Sequence, residues 1–211
     1  MGKPTREERR AELVELFHHL RDHHDCPLKA GRRKLVFGAG NADADLMFVG
    51  EAPGAREDEL GLPFVGPAGQ LLEQLLGEIG LERKDVFINN VLQCRPPGNR
   101  DPLPNEVEEC KPFLMKRIEL IEPKVICTLG NYATKLLTGS PLGITRVHGQ
   151  PQPREIGGRM VTLYPLFHPA AALRSTSVLD LLRDDVHRLP GLIAEHVPEP
   201  APDEEQLGLF G

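Results

Sequence analysis

No stretch of this 211-residue chain approaches the roughly 18 consecutive apolar residues that a membrane-spanning helix requires, which argues against a helical membrane protein. The N-terminus, MGKPTREERRAELVELF, is charged and lacks the apolar core of a secretory leader. Cysteine is scarce, with four residues at uneven spacings, so a disulfide framework is not expected. The expected location is the cytoplasm, where thiols stay reduced and a cysteine set more often binds metal. There is no internal repeat. What remains is a length suited to one globular domain and 40% apolar content, enough to build its core.

Positive charge is missing from one end. Residues 195–211 contain Glu195, Glu199, Asp203, Glu204 and Glu205 without a Lys or Arg, and so hold five of the six units of net negative charge. The rest of the chain is close to neutral. It carries basic clusters at Lys29-Arg32-Arg33-Lys34 and at Arg95, Arg100, Lys111, Lys116 and Arg117, which fit either phosphate contacts or an ordinary solvated surface.

Residues 5–20 place Leu13, Leu16 and Phe17 at helical spacing behind Thr5 and Glu8, a capping-box pair. The segment 21–40 reads as loop. Four short β-rich apolar runs follow, Leu46–Val49, Val86–Ile88, Val125–Leu129 and Met160–Leu163, with helical patterns at 71–79, 106–121 and 133–137 between them. Strands alternating with helices predict an α/β chain, a three-layer α/β/α domain with a central four-stranded parallel sheet. One last helix is expected over 179–194. The domain is expected to span residues 1–196, with a disordered Pro/Glu-rich tail over 197–211.

His23, Cys26, Cys94 and Cys110 form a candidate ligand set. His23-x-x-Cys26 supplies two ligands in one local turn, whereas Cys94 and Cys110 lie far downstream and 16 positions apart. Structural zinc usually takes two tight pairs, so a [4Fe–4S] cluster, which accepts thiolates from distant segments, fits better. Imidazole can ligate iron. Three readings remain beside a His23-ligated cluster: a three-cysteine cluster, ligation by His24, or no cluster. Cys127, inside an apolar run, reads as a core residue.

Ligands of open parallel sheets bind beyond the carboxyl ends of the strands, and Glu51, Asn90 and His168 all fall just past predicted strand ends. The loop Gly50-Glu51-Ala52-Pro53-Gly54 continues through Glu57-Asp58 to Pro63-Phe64-Val65-Gly66-x-Ala-Gly, which puts a tight turn, carboxylates and an aromatic beside one another. His168 stands in Phe167-His168-Pro169.

These motifs together, over residues 21–190, resemble the family 4 uracil-DNA glycosylases, iron–sulfur enzymes of base-excision repair. The resemblance implies that Phe64 stacks on a flipped uracil, Asn90 reads its edge, Glu57 lines the pocket near C5, and His168 donates to O2 as charge develops on the leaving base. It implies a [4Fe–4S] cluster whose ligands match at Cys26, Cys94 and Cys110, with His23 where the family has cysteine. Other uracil glycosylases carry a water-activating Asp at the position of Ala52, so Glu51 is expected to orient water or stabilise the sugar cation. Ala170 replaces a serine common after His-Pro, while Leu173 and Arg174 remain to plug the vacated stack and hold the DNA backbone. The segment after Cys94 lacks the inserted basic loop and histidine of a covalently trapping relative, and no motif lysine stands ready for a Schiff base. A monofunctional hydrolase acting as a monomer on uracil-containing DNA is expected. The rival readings are a non-catalytic iron–sulfur DNA-binding module and a zinc-stabilised protein acting on free nucleotides.

The tail ends in Gln206-Leu207-Gly208-Leu209-Phe210. It resembles the short peptide by which bacterial repair and replication proteins bind the β sliding clamp, with Gln206, Leu207, Leu209 and Phe210 as contacts. Docking of the tail on its own domain is the alternative.

Overall fold

The computed structural model describes residues 4–22 and 26–195. His23 and the tail from residue 196 onward, with the clamp-like peptide, lie outside the described residues. The chain opens with α1 (Arg6–Asp22), whose first turn is closed by Glu8 N–H donating to Thr5 Oγ1 at 3.2 Å and Thr5 N–H donating to Glu8 Oε2 at 2.6 Å. A 3-10 turn at Lys29–Gly31 precedes β1 (Ala39–Gly40), β2 (Leu46–Gly50), α2 (Ala55–Leu60) and α3 (Pro67–Glu78). They are followed by β3 (Phe87–Asn90), α4 (Pro104–Ile121), β4 (Val125–Leu129), α5 (Gly130–Thr138) and α6 (Ile144–Val147). The chain continues through β5 (Gln152–Ile156), β6 (Arg159–Leu166), α7 (Pro169–Ala172), α8 (Thr176–His187) and α9 (Leu189–Glu195).

The six strands form one sheet in the order β1-β3-β2-β4-β6-β5. The central four, β3-β2-β4-β6, run parallel and correspond to the four apolar runs of the sequence. Every residue of β2, β3 and β4 is buried, because helices cover both faces. The two edge strands are antiparallel and carry weak sequence signals. β1 has only two residues, and β5 alternates half-buried and exposed positions through the polar Gln-Pro-Arg-Glu-Ile. β5 and β6 are joined at Gly157-Gly158, both at positive φ (64° and 74°), as a tight hairpin demands.

Leu20, Met47, Val91, Leu92, Leu114 and Ile126 fill the core on one face of the sheet, under α1 and α4. Phe48, Leu72, Leu75, Ile88, Tyr164 and Leu182 fill the other, under α3 and α8. Each fully buried Leu or Met contributes about 1.5–3 kcal/mol relative to exposure. The helix expected over 179–194 is two helices, α8 and α9. Pro190 lacks the N–H that would continue α8, and its ring crowds the carbonyl four residues back. Among the described residues no helix is long and apolar enough to cross a membrane.

Candidate active site

The carboxyl ends of β2 and β3 meet at Gly50 and Asn90, which are partners in the parallel register. A side chain at Gly50 would bring its Cβ to 2.4 Å from Asn90 Oδ1 and 2.7 Å from Phe64 Cζ. Glycine is thus what lets the amide and the aromatic ring close over the strand end. The chain turns outward through Glu51-Ala52-Pro53-Gly54, with Val91 N–H and Leu92 N–H donating to the Gly50 and Glu51 carbonyls at 2.9 and 3.0 Å.

A cavity of about 360 Å³ opens there, lined by Glu51, Ala52, Glu57, Phe64, Asn90 and His168 together with Pro53, Gly54, Ala68, Pro96, Asn99, Arg100 and Ala170. The six pocket residues singled out in the sequence, drawn from three separate segments, therefore share one cavity. A second cavity of about 410 Å³ lies next to it, and Glu51 and His168 line both.

Phe64 is held in an unusual conformation. Its φ is 52°, in the left-handed region that bulky residues avoid, yet its side chain is buried. Three devices hold it. Arg83 donates to the Phe64 carbonyl at 2.8 Å and to the Pro63 carbonyl, and pairs with Glu73 at 2.9 Å. Glu57 Oε1 accepts from Val65 N–H and Gly66 N–H at 3.0 and 2.9 Å. Gly69 leaves room for the Phe64 carbonyl, which would stand 1.8 Å from a Cβ at that position. Arg83 is not legible in the sequence, where it reads as one more surface arginine. Since strain of this kind costs about 1–3 kcal/mol, Arg83→Ala is expected to lower kcat/KM for a reaction in this pocket by roughly ten- to a hundredfold. Arg83→Lys should recover part of that loss. Single-turnover kinetics beside a melting curve checks it, and an unchanged rate would remove Arg83 from the positioning set.

His168 caps α7. Its Nδ1 accepts from Ala170 N–H at 3.1 Å, so the neutral ring carries its proton on Nε2, the nitrogen left to donate. Burial lowers its pKa from 6.5 to about 4, opposed by the nearby charge of Glu57, and the ring is a neutral donor near pH 7. Its centroid is 5.7 Å from that of Phe64, the rings tilted by 28°. Behind it, Gly130 at φ 85° gives the backbone room, since a Cβ there would lie 3.1 Å from His168 Cβ.

Glu51 is half-buried, and its pKa is raised by burial and then by the charge of Asp101. The sequence alone does not pick out Asp101 or Asn99. A Pro-Pro-Gly-Asn turn is the available signal for Asn99, which sits at φ 55° after Gly98 at φ 66°. Arg100 is fixed at the pocket by Glu106, whose buried carboxylate accepts from it at 2.9 and 2.5 Å and from Leu103 N–H at 2.8 Å. Leu173 projects into solvent at the end of α7 with 52% of its surface exposed, and Arg174 follows it.

Cys26, Cys94 and Cys110 are buried, unpaired by disulfides, and share the core face under α1 and α4. The neighbouring thiol of Cys26 first, and burial second, pushes the thiols of Cys94 and Cys110 far above their ordinary pKa. Arg32 Nη1 donates to Cys94 Sγ at 3.4 Å, and Leu28 N–H donates to Cys26 Sγ at 3.4 Å. Among the described residues no three His, Cys, Asp or Glu side chains form a site for a single metal ion. Cys127 stands on β4 in the opposite core, its thiol pushed up by burial alone. The structure overturns one expectation from the basic clusters. Arg117, which the sequence groups with Lys111 and Lys116, is fully buried, so it offers no phosphate contact.

The cavity at the ends of the parallel strands thus combines an aromatic wall, a buried amide and a neutral imidazole donor, the kinds of group that recognition of an extruded base requires. Residues 37–186 match the model of the Uracil DNA glycosylase superfamily. The chain is 44% identical to a type-4 uracil-DNA glycosylase of Sulfurisphaera tokodaii, over 78% of this chain and 77% of that one. It is 48% identical to the type-4 enzyme of Thermotoga maritima, over 72% and 78%. Against a type-5 uracil-DNA glycosylase of Pyrobaculum aerophilum the identity is 30% over 62% and 63%. The chain belongs to the uracil-DNA glycosylase superfamily and, within it, to the type-4 family.

Proposed function

We propose that this protein excises uracil from DNA, hydrolysing the N-glycosidic bond of deoxyuridine and leaving an abasic site for base-excision repair. The observation that carries the reading is the convergence of Glu51, Phe64, Asn90 and His168 on one cavity of about 360 Å³. A base extruded from the duplex needs a stacking face, which Phe64 supplies, and a paired donor and acceptor, which the Asn90 amide supplies. As the glycosidic bond breaks, its electron pair passes to the base. His168 Nε2–H donates to the O2 on which that charge develops, at no cost in protonation, since the neutral ring is already the donor. Glu51 orients the water that adds to C1′ or stabilises the sugar cation. Glu57 both lines the pocket and fixes the Phe64 loop. Leu173 fills the vacated stack and Arg174 holds the backbone. Release of uracil from a duplex oligonucleotide with a single deoxyuridine tests the reading. No release would leave a binding module.

The thiols of Cys26, Cys94 and Cys110 fit a [4Fe–4S] cluster better than one ion, with His23 as the fourth ligand. When bound, such a cluster would hold together the segment around Cys26, the loop after β3 and the second turn of α4. The fit rests on three buried thiols on one core face and on a buried arginine two turns from Cys110 on α4 with donors to spare. For the tail, the proposal is a tether to the bacterial β clamp through Gln206, Leu207, Leu209 and Phe210, which lie outside the described residues. Deleting 204–211 should abolish binding to purified clamp while leaving excision from a short oligonucleotide unchanged. Full clamp binding by the truncated protein would refute the tether.

A further inference from the structure

Arg117 lies two turns beyond Cys110 on α4, with Leu114 on the same buried face between them. Helical side chains lean back toward the N-terminus, which carries the guanidinium in the direction of Cys110. Its Nη1 donates to the Phe37 carbonyl at 2.6 Å, and its Cζ stands 5.0 Å from the centroid of the Phe37 ring. Nε and Nη2 are buried with no hydrogen-bond partner. Among the described residues no carboxylate pairs with it.

A buried cation without an anion is among the most destabilising arrangements a fold can hold. Neutral oxygens do not resolve it. Asn89 Oδ1 and Gln93 Oε1 are the buried side-chain oxygens without partners among the described residues. Reached directly or through water, they would take the hydrogen bonds and leave the charge. A polynuclear group bound by thiolates is negative overall and would meet both needs.

We propose that Arg117 is the buried counter-charge of the iron–sulfur cluster, with Nε–H and Nη2–H available to its sulfur, and that it sets the reduction potential of the cluster. The inference rests on the cluster reading above. Hydrogen bonds and positive charge near cluster sulfur stabilise the reduced state. Arg32 reaches Cys94 from a partly exposed position, where solvent screens its charge, so its contribution is the smaller one.

The test uses full-length protein purified without oxygen, with iron analysis, visible spectra and a spectroscopically monitored redox titration. Arg117→Met should shift the reduction equilibrium at least tenfold toward the oxidised form, about 59 mV downward for one electron. Arg117→Lys, which keeps the cation, should return the potential toward that of the wild type, and Arg32→Met should shift it less than Arg117→Met. Should the Met variant fail to fold, Arg117→Gln keeps a polar amide at the position while losing the charge and the two donors assigned to cluster sulfur, and the same downward shift is expected. A wild type with iron whose Met or Gln variant keeps its potential would make Arg117 a packing residue, overturning this proposal while the cluster reading stands. A wild type without an iron–sulfur cluster would overturn both.

Discussion

Uracil release is expected to slow by roughly two to three orders of magnitude in His168→Ala, the usual loss when one donor to a developing anion is removed. The effect belongs to the chemical step, because the Nε2–H bond strengthens as charge reaches the base. Single-turnover rates measure it, and a rate equal to that of the wild type would take His168 out of the reaction. The depressed pKa adds a pH signature. A ring titrating at about 4 stays neutral from about pH 5 to 8, so the excision rate should show no inflection from this group near its ordinary value of 6.5. The stability consequence follows the proton balance. Between 6.5 and about 4 the unfolded chain binds the proton and the folded chain does not, so the protein loses stability as pH falls through that window and keeps it above. The imidazole resonances identified by difference from His168→Ala should titrate at about 4, well below the ordinary value of 6.5. A midpoint near 6.5 would contradict the buried geometry.

The second large effect is expected at Asn90. An amide paired with a base edge gives about 1–3 kcal/mol of discrimination, so Asn90→Asp should lower uracil excision by roughly five- to 150-fold. The exchanged group replaces a donor with an acceptor, and any gained activity should fall on cytosine, whose 4-amino group donates where uracil accepts. Asn90 is buried beside Phe64, so the variant carboxyl has little access to solvent, and the loss should appear in the rate at saturating enzyme as well as in binding. Excision is compared on matched oligonucleotides containing uracil or cytosine. Full uracil activity in the variant would show that the amide does not read the base.

The features hidden from the sequence share a cause. Arg83, Asn99, Asp101 and Glu106 act through partners elsewhere in the chain or through turn geometry, and no periodicity announces such a pairing. Arg117 misleads because a basic residue near Lys111 and Lys116 suggests a charged face, while its position seven residues after Cys110 places it on the buried stripe of α4. Pro190 does announce the break between α8 and α9, and the apolar pattern running through it conceals the signal.

By itself the sequence determined the parallel core and the site's address. Short, mostly apolar runs alternating with amphipathic stretches can bury both sheet faces in few other ways, and chain polarity then sends Glu51, Asn90 and His168 to the same edge. The uneven cysteines likewise set Cys26, Cys94 and Cys110, which share one core face, apart from Cys127 in the other. Tertiary structure decided what each group becomes once there. The neutrality of His168 comes from desolvation and the Ala170 N–H. The left-handed Phe64 depends on Arg83 and on the empty space above Gly69. The burial of Arg117 beside the thiols depends on α4 lying against that face of the sheet. Protonation, strain and charge balance are set by surroundings assembled from distant segments, whereas apolar periodicity is written residue by residue along the chain.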